Sequence, residues 1–186
     1  KEPLPEYAVD TDVGDELDVE AVLLGSGAIE ESANPGDLVV TPRFEEEWHE
    51  RMGELDEPST KVTFADMLDV SEFRLSTEEY SKIYALVLDD VQIGRWESEA
   101  ALRADVAAGI ALAERVDGWV DLTVEQQTGL MRGLRVFLEQ CPDCGGPVAM
   151  TEETVESCCS SLEVLVSECQ DCGARLFEIN TAVVER

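Results

Sequence analysis

Apolar residues recur at helical spacing along most of the chain, and strand-like alternation takes over only near its C-terminal end. Behind Pro42, the side chains Phe44, Trp48, Met52 and Leu55 fall at i, i+4, i+8 and i+11, which predicts an amphipathic helix over 43–55. Upstream, Val19 to Leu24 is a short apolar run closed by Gly25-Ser26-Gly27, read as either a strand or a buried helical turn. Asn34-Pro35-Gly36-Asp37 marks a turn, and Leu38 to Val40 reads as a short strand. Thr63 and Asp66 suggest the start of a short helix running through Leu68. Ser76 and Glu79 have capping-box spacing and predict a helix over 77–92 that stops at Gly94. From Ala100 to Val116 alanines occur on several faces, so this helix is expected at the centre of a bundle, where neighbours approach closely. Thr123 and Gln126 repeat the capping-box spacing and predict a helix over 124–139. Gly129 and Gly133 lie inside it and each costs about 1 kcal/mol relative to alanine, which close packing would explain.

From Cys141 onward, prolines, glycines and cysteines bracket short stretches expected as strands: Val148–Met150, Thr154–Cys159, Leu162–Ser167 and Arg175–Ile179. Leu162, Val164 and Val166 alternate with Glu163 and Ser167, a half-buried strand interrupted by Leu165. The expected organisation is an acidic flexible lead or tether at 1–19, a mainly helical domain at 20–139 and a small β ribbon at 140–186. The fold class is therefore mainly α followed by a small β unit, α+β overall.

Two units carry the clearest chemistry, Cys141-Pro142-Asp143-Cys144-Gly145 and Cys169-Gln170-Asp171-Cys172-Gly173. Two residues between cysteines bring both sulfurs to one metal, and the following Gly permits the tight turn that aims amides at the thiolates. Two such units supply four sulfurs in a tetrahedron, the set that zinc favours. Residues 141–179 resemble a zinc ribbon in both knuckles. That resemblance implies a small sheet clamping one zinc ion through Cys141, Cys144, Cys169 and Cys172, and it implies no single function. The whole chain resembles the uncharacterised acidic zinc-ribbon proteins of haloarchaea. Two disulfides and a rubredoxin-like iron site are the competing uses of these cysteines. A thioredoxin-type redox pair would need a strand-to-helix setting that neither unit has. Cys158 and Cys159 are adjacent on an expected strand and point to opposite faces. They read as small apolar residues of a thin sheet, against a spare ligand or a reactive thiol.

Charge changes the picture of the surface. The 186 residues hold 42 Asp and Glu against 13 Lys and Arg, a net charge of -29, with 44% hydrophobic residues to build a core. The acids run from Glu2 to Glu185 rather than forming a tail. Such a Lys-poor chain repels itself in dilute buffer. At about 1 M salt the screening length falls to about 3 Å, so a halophilic, cytoplasmic setting is expected. The same charge disfavours non-specific nucleic-acid binding, which needs cations against phosphates. No apolar run approaches the ~20 residues that cross a bilayer. The start at Lys1 rather than Met points to a segment upstream, which would allow a membrane tether.

Catalytic readings find little support. His49 is the sole histidine, and His49-Glu50-Arg51-Met52-Gly53 lacks the second histidine of the helical metalloprotease motif. Gly25-Ser26-Gly27 is neither a nucleophile elbow nor a phosphate loop. No residue is assigned a catalytic role. Against the acidic background, Gln126 to Leu138 contains no acid and carries Arg132 and Arg135 on one helix face. These two arginines are the candidate partner surface, unless they pair with acids inside the fold. The expected function is macromolecule binding, as a non-catalytic adaptor with a protein partner. A nucleic-acid-associated zinc-ribbon factor and a rubredoxin-like or thiol redox protein are the alternatives.

Overall fold

The computed structural model describes residues 17–80, 83–157 and 160–181. The acidic lead up to Glu16, together with Cys158 and Cys159, lies outside the described residues. Asp18 accepts the Ala21 amide and starts helix α1, Val19–Gly25, so the first apolar run is helical. The hairpin β1 (Ile29–Glu31) and β2 (Leu38–Val40) follows, closed around the Asn34–Gly36 turn. Helix α2, Pro42–Glu54, buries Phe44, Trp48 and Met52, as the periodicity predicts. Helix α3, Glu57–Met67, begins ahead of the expected start at Thr63. Asp56 and Ser59 form a capping box there, with Pro58 in the first turn, where a missing N–H costs nothing.

The expected helix over 77–92 is instead a three-stranded antiparallel meander. Its strands are β3 (Leu75–Tyr80), β4 (Ile83–Leu88) and β5 (Val91–Trp96), in that spatial order. The spacing of Ser76 and Glu79 imitates a helix cap, but the residues after it are β-branched and aromatic and suit a pleated surface. Asp89 and Asp90 both adopt positive φ, 49° and 65°, giving a two-residue turn between Leu88 and Val91 that matches strand twist. Gly94, expected as a helix stop, lies within β5. Leu86 pairs with Gly94 and Val87 with Gln92, which leaves Ile93 as a bulge between them. The chain is thus not mainly helical ahead of the ribbon. Five α-helices and three small antiparallel sheets occur among the described residues, so the fold is mixed α+β throughout.

Helix α4, Glu99–Ala113, is capped by Ser98, which accepts the Ala101 amide. It runs between two apolar clusters. One face contributes Ala100, Ala104, Ala107, Ala108 and Ala111 to a core shared with Phe44, Trp48 and Leu134. The other contributes Ala101, Leu102 and Val106 to a smaller core with Phe64, Tyr84, Leu86 and Trp96. Trp48 fixes α2 to this helix by donating its Nε1–H to the Ala104 carbonyl at 2.8 Å. Helix α5, Val124–Arg135, starts on the predicted Thr123–Gln126 capping box. It ends short of residue 139 because the chain tightens, with the Phe137 and Leu138 amides bonding the Leu134 and Arg135 carbonyls. That turn sinks Leu138 into the larger core. Gly133 lets α1 approach α5, since a Cβ there would lie 3.1 Å from Val19 Cγ1.

A second meander completes the chain: β6 (Val148–Ser157), β7 (Ser160–Cys169) and β8 (Arg175–Asn180), all antiparallel. Along β7, Val164 and Val166 are buried and Glu163 is exposed, as the alternation predicts, but Ser167, expected on the polar face, is buried and Leu165 is half-buried. Leu176 of β8 is fully buried, and Val148 and Ala174 pack against the same core as α1, α2, α4 and α5.

Candidate metal centre

The first knuckle joins α5 to β6 and the second joins β7 to β8, so the β6–β7 hairpin brings the two together. Register pairs Val148 with Cys169, which sets the start of one knuckle's exit strand beside the other's entry. Each knuckle closes by the same pair of backbone bonds. Gly145 N–H reaches the Cys141 carbonyl at 2.9 Å and Gly173 N–H the Cys169 carbonyl at 3.0 Å. Both glycines hold left-handed φ, 72° and 74°, which a side chain would strain. Cys141 and Cys169 then donate their amides to the carbonyls of Gly146 and Ala174. A further bond from the Gln170 amide to the Pro147 carbonyl, 2.9 Å, ties one knuckle to the other.

This geometry gathers four sulfurs. Cys141 Sγ lies 3.7 Å from Cys172 Sγ and Cys144 Sγ 3.5 Å from Cys169 Sγ. All four lie within 4.8 Å of one another. A tetrahedron of thiolates about 2.3 Å from zinc has edges of about 3.8 Å, so the donor set fits such an ion. At these separations no disulfide is formed among them, since bonded sulfurs would stand about 2.0 Å apart. All four cysteines are free. The first of each pair, Cys141 and Cys169, is buried, and the second, Cys144 and Cys172, is exposed. The Gly146 amide approaches Cys144 Sγ at 3.4 Å, a donor suited to a thiolate. Burial pushes the Cys141 thiol up to about 12. Burial acts the same way on Cys169, but the amides of Cys172 and Asp171 and the neighbouring thiols outweigh it and bring that group down to about 7.

Helical residues hold the ribbon in place. Arg103 of α4 pairs with Glu99 at 2.8 Å and donates to the Pro142 carbonyl at 3.3 Å, inside the first knuckle. Ser98 Oγ donates to the Arg175 carbonyl at 2.6 Å. Arg135 donates to the Leu176 carbonyl at 2.8 Å.

The two arginines singled out in the sequence separate here. Arg132 is half exposed, 4.0 Å from Glu97 and 6.0 Å above the Phe177 ring. Arg135 is 2% exposed and pairs with Glu97 and Asp105. It is an internal ion-pair member and presents nothing to a partner. Its Nε stands 2.8 Å from Asp105 Oδ1, off the line that a hydrogen bond needs. Asp105 itself is wholly buried and accepts the Trp96 indole N–H at 2.8 Å. Burial raises its carboxyl to about 6, against the pull of Arg135 and Trp96. Sequence reasoning missed Asp105. Its signal was an acid in the middle of an alanine-rich helix, past the first turn where Glu99 sits. His49 stacks beside Trp48 on α2 and belongs to no metal-ligating group among the described residues.

These features define a mixed α+β protein carrying a ribbon with a four-cysteine group that could hold a metal ion. The chain belongs to a family of unknown function, DUF8054. The model of that family's central domain matches residues 18–136, and the model of its C-terminal domain matches 139–179. Neither the curated proteins nor the solved structures include a match to it. Among the described residues, no helix is long and apolar enough to cross a membrane.

Proposed function

We propose that the chain binds one structural zinc ion through Cys141, Cys144, Cys169 and Cys172 and acts as a non-catalytic adaptor for another protein in a salt-rich cytoplasm. The supporting observation is the closed donor set. The chain itself supplies four sulfurs around one point, which leaves no position for water or substrate, the mark of structural rather than catalytic zinc. A protein partner is favoured over nucleic acid because the net charge of -29 repels phosphates. The salt-rich setting rests on the same charge. The docking surface is placed at the junction of α5 and the ribbon, with Arg132 over Phe177 as its exposed cation. A rim cation of this kind sets orientation and association rate more than stability.

Elemental analysis of the purified chain tests the metal. It should give one zinc per chain, with four thiols protected until a chelator is added. Iron, seen at once as colour, would move the protein to the rubredoxin-like reading. For the partner, Arg132→Glu should reduce capture of a defined protein from cell extract while zinc content is unchanged. Capture of nucleic acid instead would reverse the choice of partner.

A further inference from the structure

Helix α4 is buried on most of its faces, and Arg103 is its only cation. Its neighbours Leu102 and Ala104 are buried, so the backbone that carries Arg103 is fixed in the core. The arginine side chain is 13% exposed. Two of its nitrogens face Glu99, one helical turn earlier. Nε stands 3.3 Å from Oε1 and Nη2 stands 2.8 Å from Oε2, a forked pair. The fork sets the plane of the guanidinium and leaves Nη1 for the ribbon. Nη1 donates to the Pro142 carbonyl at 3.3 Å and lies 3.7 Å from Asp143 Oδ1.

Pro142 and Asp143 are the two residues between Cys141 and Cys144. One guanidinium thus holds the backbone of one spacer and the carboxylate of the other, from outside the ribbon. The second knuckle has no such hold. Of its spacers, Gln170 bonds through its amide to the Pro147 carbonyl, within the ribbon. Asp171 has no ion pair among the described residues. Charge gives the arginine a second task. Four thiolates on a divalent ion leave an excess of negative charge. Asp143 and Asp171 add to it, in a chain already at -29. Groups that surround and orient metal ligands set affinity almost as strongly as the ligands do.

We infer that Arg103 is the positioning residue and counter-ion of the metal centre. It holds the first knuckle in the form that presents Cys141 and Cys144, and its charge offsets that of the metal-bound thiolates. Glu99 orients the guanidinium but also cancels part of its charge, so the two roles separate by mutation. This deepens the zinc reading and rests on it.

The test is competition for zinc between the full chain and a chromophoric chelator, at one fixed salt concentration. Cobalt(II) in place of zinc reads the sulfur coordination by its visible absorption. Arg103→Met keeps the stem and removes the charge. Its zinc affinity should fall about 10–100-fold, while cobalt still reports four sulfurs and circular dichroism reports intact helices. Arg103→Lys keeps the charge without the fork and should fall between Arg103→Met and wild type. Glu99→Gln leaves the guanidinium charge uncancelled and should bind zinc at least as tightly as wild type. Arg74→Gln breaks the exposed pair with Asp89 on the meander, changes the net charge equally and should leave affinity unchanged. Should Arg103→Met not fold, Arg103→Lys and Glu99→Gln still decide. Full affinity in Arg103→Met, an equal loss in Arg103→Lys, or a loss of that size in Glu99→Gln or Arg74→Gln would each overturn the assignment and leave the zinc reading standing. A wild type that holds no zinc would sink both.

Discussion

Replacing Arg135 by Met keeps the length of the side-chain stem and removes the charge that three groups share. Asp105, wholly buried, would lose its counter-ion, Glu97 would keep only Arg132 at 4.0 Å, and the Leu176 carbonyl would lose its donor. Breaking a buried pair by removing one member costs about 3–5 kcal/mol, and an orphaned buried carbonyl about 1–3 more. Asp105 can relieve part of this by taking a proton, since burial already raises its pKa to about 6. The net expectation is about 3–4 kcal/mol, a large share of the 5–15 kcal/mol by which domains are stable. Arg132→Gln is the control: its side chain is 52% exposed, so its loss should cost under about 1 kcal/mol. Guanidinium chloride unfolding followed by circular dichroism reads both. The double variant Asp105→Leu/Arg135→Met should recover part of the loss, because it removes the stranded charge as well. Equal costs for Arg132→Gln and Arg135→Met, or a stable Arg135→Met, would refute the buried-pair account.

Three further outcomes are expected. Lowering salt from about 1 M to about 0.1 M lengthens screening from about 3 Å to about 10 Å, so the helical signal should fall; an unchanged spectrum would refute the salt-adapted reading. Asp105 has a folded-state pKa near 6 against an ordinary 3.8, so its contribution to stability rises as pH falls through 6. Wild type should therefore gain on Asp105→Asn between pH 7 and 5, by at most about 3 kcal/mol across the whole titration; a relative loss in paired urea melts would reverse the sign. Gly129→Ala meets Val19 only at 3.9 Å and should stabilise by up to about 1 kcal/mol, whereas Gly133→Ala at 3.1 Å should not; thermal melts that rank them the other way would show that α1 does not set the limit.

Local chemistry was legible where it acts locally. The Thr123–Gln126 cap, the Phe44–Trp48–Met52 stripe and the two Cys-x-x-Cys-Gly units each depend on residues a few positions apart, and each was read correctly as structure. The meander over 75–96 was hidden because Ser76 and Glu79 mimic a cap, while the Asp89-Asp90 turn shows itself only through left-handed φ angles. Asp105 and Arg135 are 30 positions apart in sequence and meet only because α4 and α5 pack. No spacing rule announces such a pair. Hence the sequence leaves Arg135 open between a partner surface shared with Arg132 and an internal ion pair, and only the packing of α4 on α5 decides for the pair.

The ribbon's Leu176, Val148 and Ala174 share one core with Trp48, Leu130 and Leu134. An ion held by the four thiolates would thus be a ligand of the folded chain as a unit rather than of an appendage. Each ten-fold rise in its free concentration above the dissociation constant would add about 1.4 kcal/mol to the whole. Chelation would act as a denaturant on helices that touch no sulfur, and the level of metal in the cell would set how much of this protein survives its proteases.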